Sequence, residues 1–132
     1  MGEPINPESL PEPRGFSYAF SAEGSRIIHF AGHTSLDGEG QIVGPSDMVV
    51  QFDQVLMNLS LTAREASVEL ADIVKMTLFV TDAEAYKSKA SEIGKIYRRH
   101  FGEHYPAMTL VEISRLWDPA AMIEIEAVGV VD

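Results

Sequence analysis

The 132-residue sequence predicts an α+β two-layer sandwich, a mixed sheet with two helices on one face. Two observations lead there. Two stretches repeat apolar residues at three- and four-residue steps, as amphipathic helices do, and short runs of β-branched and large apolar residues surround them. The predicted order is β-β-(β)-α-β-α-β-β. Two helices cannot cover both faces of such a sheet, so a self-associating oligomer is the economical cover for the open one.

Residues 1–14 (MGEPINPESLPEPR) carry four prolines and several acids, which predicts an arm or coil. The remaining residues, 15–132, form a single domain by length. Residues 17–22 and 26–31 predict two strands joined by a turn at Glu23-Gly24-Ser25. The second run is more apolar and is expected to be the more central strand. Residues 37–40 (DGEG) make another turn, and Gln41-Ile42-Val43 leave it as a short strand.

Ser46 or Asp47 is placed to cap a helix of about five turns. Its apolar stripe is Phe52, Val55, Leu56, Leu59, Ala63 and Ala66, with Gln51, Asp53, Gln54, Asn58, Arg64 and Glu65 on the other face. Residues 73–80 (IVKMTLFV) predict a buried strand. Thr81 and Glu84 then have capping-box spacing ahead of a second helix, whose face carries Tyr86, Ala90, Ile93, Tyr97 and Phe101 and which ends at Gly102. Strands at 108–114 and 122–131 close the chain.

Composition removes several functions. There is no cysteine, hence no disulfide framework, thiolate nucleophile or cysteine-ligated metal. No apolar run approaches the ~18 residues that span a bilayer, and no secretory signal is visible, so a cytoplasmic location is expected without membrane contact. The net charge of −10 disfavours nucleic acid, and Lys95, Arg98 and Arg99 form only a small basic patch. His29 and His33 share a strand face ~13 Å apart, too far for one metal. Gly102 interrupts the helix between His100 and His104. No metal site is expected.

One residue stands out in the last strand. Glu124 lies in a strongly apolar run, where a carboxylate is costly unless paired or used. Burial there would suit it to moving protons near neutral pH. Alternatively, Glu124 and Glu126 simply share a solvent-facing edge.

Several segments together resemble a known family. These are GFSYA (15–19), IIHFAGHTSLDGEGQIVG (27–44), DIVKMTLFVTD (72–82), YPAMTLVEISRL (105–116) and IEIEAVGVV (123–131). In order and spacing they resemble the RidA/YjgF family of imine and enamine deaminases, also called L-PSP endoribonucleases, from about residue 15 to the end. The resemblance implies a chorismate-mutase-like fold and a homotrimer with small-molecule clefts between subunits. It also implies hydrolysis of imines or enamines to a keto compound and ammonia, without metal or organic cofactor.

By the same resemblance, Glu124 is the catalytic glutamate that places water. Ala31, Gly32 and His33 stand where the family has a serine-glycine-glutamine turn that holds substrate through backbone groups. Tyr18 matches the cleft tyrosine, with Ser17 in the register one residue away. Gly94 stands near a family asparagine. Met108, followed by Thr109, occupies the position of the arginine that pairs with a substrate carboxylate, and methionine cannot make that pair. Arg115 occupies a separate position. An atypical substrate, lacking a carboxylate at that spot, is therefore expected. The alternative is a trimer that binds a metabolite without turning it over. Three chains at −10 each would carry −30, which disfavours the ribonuclease activity in the family label.

Overall fold

The computed structural model describes residues 2–132, so of the predicted arm only Met1 lies outside it. In chain order the strands and helices are β1 (Gly2–Ile5), β2 (Ala19–Ala22), β3 (Arg26–His33), α1 (Met48–Glu65), β4 (Ile73–Val80), α2 (Ala83–Ser88), α3 (Ala90–Phe101), β5 (Ala107–Glu112) and β6 (Ile123–Val131). A short 3-10 turn, Leu70–Asp72, leads into β4. The main sheet runs β3-β6-β4-β5. β6 is antiparallel to both neighbours and β5 is parallel to β4, so the sheet is mixed, as the sequence predicts.

The core lies between one face of this sheet and the helices. Met76, Leu78 and Val80 of β4 alternate with more exposed residues, as do Ile123, Ile125 and Ala127 of β6. Against them pack Phe52, Val55, Leu56 and Leu59 of α1 and Ile93, Tyr97 and Phe101 of α3. Tyr97 stacks on Phe101 at 4.5 Å and on Tyr105 at 5.2 Å, tying the end of α3 to the start of β5.

Several expectations are corrected. β1 pairs with β2 in a separate two-stranded sheet, so part of the arm is strand and β2 does not form a hairpin with β3. β3 is an edge strand, with Ile27 62% exposed; the central strands are β6 and β4, which carry the most buried residues on their helix-facing side. Residues 41–43 contribute one bridge, Leu36 to Ile42, and no strand. The second predicted helix is two, broken at Lys89.

Capping is also revised. Asp47 caps α1 through the Val50 N–H, while Ser46 adopts a positive φ of 64°. Asp82, not Thr81, caps α2: its carboxylate accepts from the Ala85 N–H at 3.0 Å, and Glu112 of β5 accepts from the Ala83 N–H at 2.9 Å. Glu84 instead lies 3.8 Å from Lys87 on the surface.

Gln51, expected on the polar face of α1, is fully buried. Its amide nitrogen donates to the carbonyls of Gly44 at 3.1 Å and Ala120 at 2.9 Å, and its oxygen accepts from the Met122 N–H at 2.7 Å. One side chain thus joins α1, the loop before it and the entry to β6. Buried polar groups persist only when satisfied in this way.

Candidate functional site

The β3–β6 ladder is irregular where the sequence points to a site. Phe30 pairs with Ala127 and His33 with Ile125, so Ala31 and Gly32 oppose Glu126 alone. This bulge bends β3 and interrupts its ladder to β6. The Glu124 side chain folds over Gly32: a Cβ added at Gly32 would lie 2.7 Å from the Glu124 carboxyl carbon. A side chain at 32 would therefore have to displace the Glu124 carboxylate, while the φ of Gly32 is not in the left-handed range and sets no demand of its own. Glu124 is half-buried and pairs across the sheet with Phe79 of β4.

Glu124 faces away from the helices. Beyond it the same face carries exposed Glu126, whose partner is Thr77, with Thr109 next in line on β5. Lys75 Nζ donates to Thr109 Oγ1 at 3.4 Å. The face thus has a carboxylate beside backbone, a second carboxylate, two hydroxyls and an ammonium.

Met108 lies on the opposite side. It pairs with Met76 of β4 and packs against the core, lining a cavity of about 320 Å³ between the sheet and helices α2 and α3. Phe52, Tyr86 and Ile125 line the same cavity. Burial pushes the Tyr86 hydroxyl up to about 12, so it stays neutral at ordinary pH. Tyr97, also on the cavity, is raised by burial and by Tyr105.

The other predicted site residues divide between these places. Ala31 and Gly32 are exposed beside Glu124. The His33 ring turns toward α1. Its Nδ1–H donates to the Ala31 carbonyl at 2.7 Å, because a carbonyl can only accept, and Nε2 is hydrogen-bonded to the Thr62 hydroxyl at 2.8 Å. Tyr18 sits in the N-terminal segment; its hydroxyl donates to the Pro11 carbonyl at 2.7 Å and its ring meets Phe16 edge-on. Ser17 is buried and donates to the Tyr105 carbonyl. Within one chain, then, Glu124 with Gly32 and Met108 occupy opposite faces of the sheet.

Two residues were not singled out as site residues by sequence. Arg14 and Arg98 both line the Met108 cavity. The sequence places Arg98 in a small basic patch with Lys95 and Arg99, yet Arg99 turns to Asp53 at 3.6 Å. The available signal was the Gly94–Arg98 spacing, since residues four apart on a helix are neighbours. Arg115 folds back on its own loop, donating to the carbonyls of Leu116 and Trp117 at 3.3 and 3.5 Å. Among the described residues no group of three or more side chains is arranged to hold a metal, and no helix is long and apolar enough to cross a membrane.

The chain resembles known proteins over nearly its full length. A RutC family protein of Pyrococcus horikoshii is 30% identical over 129 residues, covering 98% of both chains. A RutC family protein of Synechocystis is 32% identical, covering 96% of this chain and 94% of its own. Among solved structures, YyfB of Yersinia pestis, a Rid family protein of unknown function, superposes with a TM-score of 0.87 at 30% identity, covering 98% of both chains. YyfA of the same organism, also a Rid family protein of unknown function, has a TM-score of 0.69 at 28% identity, covering 99% of this chain and all of its own. The sequence profile described as Endoribonuclease L-PSP matches residues 11–131, and the chain belongs to that family, the RidA/YjgF family.

Proposed function

We propose that the protein hydrolyses an imine, enamine or related labile C–N compound in clefts between the subunits of a homotrimer. The observation that carries this reading is the Glu124 carboxylate lying against the Gly32 backbone on a sheet face that no described helix covers. A carboxylate in that position can accept a proton from water while the oxygen adds to the C=N carbon. The imine nitrogen takes up a proton. The resulting carbinolamine then collapses: the C–N bond breaks, ammonia leaves, and the carbon becomes a carbonyl. An enamine enters the same sequence after protonation at carbon. No redox partner is needed for this balance.

The opposite placement of Glu124 and Met108 supports the oligomer. A ligand can touch both only if the open face of one subunit meets the Met108 cavity of the next. Exposed Ile27 and half-buried Phe79 and Val128 give the open face the apolar character that an interface would bury.

The test is a coupled assay. An amino-acid oxidase or dehydratase generates fresh imines or enamines from a panel of amino acids, and their decay is followed with wild type and Glu124→Gln. The expected result is acceleration by wild type that falls at least about 100-fold in the variant, with unchanged thermal unfolding. Equal decay with and without wild type across the panel overturns the reading. A monomeric mass in solution at micromolar concentration overturns the trimer.

A further inference from the structure

Three polar residues of α1, Gln54, Asn58 and Thr62, stand at four-residue steps and so share one edge of the helix. Gln54 and Asn58 are expected on its solvated face, yet every member of the row holds a partner. Asn58 Nδ2 donates to the carbonyls of Thr34 at 3.0 Å and Leu36 at 2.8 Å. Gln54 Nε2 donates to Asn58 Oδ1 at 2.9 Å and so fixes that amide. The Thr62 hydroxyl meets His33 Nε2 at 2.8 Å, and His33 Nδ1–H donates to the Ala31 carbonyl at 2.7 Å. Directly or through His33, the row holds the chain at Ala31, Thr34 and Leu36.

That stretch contains the bulge beneath Glu124. Phe30 is fixed by its pair with Ala127 and His33 by its pair with Ile125, while Ala31 and Gly32 between them are out of the regular ladder. Their peptide groups need other partners to stay in one place. The Ala31 carbonyl belongs to the peptide unit that enters Gly32, and the His33 ring supplies its partner. Histidine suits the position because a rigid ring bonds at both ends: Nδ1 reaches back to the bulge while Nε2 reaches α1. The Thr62 hydroxyl can donate or accept, so it partners the ring in either charge state.

We propose that His33, tied to Thr62, is a positioning residue for Glu124. It fixes the Ala31–Gly32 peptide against which the carboxylate lies, and thereby sets how far that carboxylate stands from a bound C=N carbon. The proposal rests on reading Glu124 as the group that takes the proton from water. It changes the role expected of His33 from ligand contact to support, since the ring turns toward α1 and away from the open face of the sheet. Such support matters because a shift of about 1 Å at reacting groups costs up to roughly 100-fold in rate.

The test follows imine decay and, in parallel, the Gly32 amide and Glu124 carboxyl resonances of the isotope-labelled full chain. His33→Ala is expected to lower kcat roughly 5- to 30-fold with KM within about two-fold of wild type, because contacts to the ligand stay in place. Thr62→Val keeps the branched shape and loses the hydroxyl; it should lower kcat about 2- to 5-fold. His33→Asn keeps a donor near the Nδ1 position and should recover most of kcat, which a packing role alone would not give. Adding Thr62→Val to His33→Ala should cost nothing more, since both cut one bridge. Both resonances should move in His33→Ala and in Thr62→Val, and return toward wild type in His33→Asn. Unchanged kcat in His33→Ala, no recovery in His33→Asn, additive losses in the double variant, or resonances that stay in place would each overturn the proposal. The expected shifts in a protein that hydrolyses no imine keep His33 as the support of the Glu124 carboxylate and remove the hydrolase reading. Hydrolysis that Glu124→Gln abolishes and His33→Ala leaves intact does the reverse.

Discussion

The Glu124 carboxyl group lies directly over the backbone of Gly32, close enough that a Cβ there would sit 2.7 Å from its carboxyl carbon. What blocks that Cβ is the end of a flexible side chain, so a methyl group can be accommodated by moving the carboxylate. Gly32→Ala is therefore expected to fold with a melting temperature within a few degrees of wild type. Its kcat/KM for imine hydrolysis should fall about 10- to 100-fold, because a displacement of about 1 Å at a reacting group costs that much. Parallel thermal unfolding and imine-decay assays check both halves. Unchanged turnover would separate Gly32 from the site.

Gln51 holds three backbone groups from separate segments while fully buried. Gln51→Ala strands those groups away from water. The expected loss is about 2–4 kcal/mol, read as a lower urea midpoint with unchanged slope. Gln51→Glu should cost at least as much, since it places a carboxylate against two carbonyl oxygens.

The start of α2 offers a direct comparison. Asp82→Ala removes the hydrogen bond to the Ala85 N–H and should destabilise by about 1 kcal/mol. Thr81→Ala, which the capping-box spacing would have made the costly change, should stay within about 0.5 kcal/mol. Chemical denaturation of the two variants decides between the caps.

Tyr86 makes a pH prediction. Burial raises its hydroxyl from an ordinary 10.0 to about 12. The unfolded chain therefore releases this proton first as pH rises. The stabilisation from keeping Tyr86 neutral is complete below about pH 10 and is lost between there and about pH 12. Unfolding free energy should decline across that window, and Tyr86→Phe should decline less steeply. Equal slopes in the two proteins would contradict the assignment.

Much of the fold was legible because its signals are local. The stripe Phe52, Val55, Leu56, Leu59 marks α1 at its period, and the alternation at Ile123, Ile125 and Ala127 marks β6. Gln51 was misread because a polar residue beside an apolar stripe looks solvated. Only the carbonyls of Gly44 and Ala120, the second 69 residues away, make its burial favourable. At the site, Glu124 and Gly32 were legible by resemblance to a family. The cavity beside Met108 was not, because it is assembled from α1, α3, β4 and β6.

By itself, the sequence determined the α+β class, the α1 span, the buried β4 and β6 strands and the family, since each follows from periodicity or from the order of short motifs. Tertiary structure alone decided that β3 is an edge, that β1 and β2 pair apart from the main sheet, and that Glu124 and Met108 face opposite ways. The physical reason is that strand pairing and register are long-range choices. Two residues in different strands share a face only through the ladder that joins them, and a shift of one residue turns a side chain to the other side.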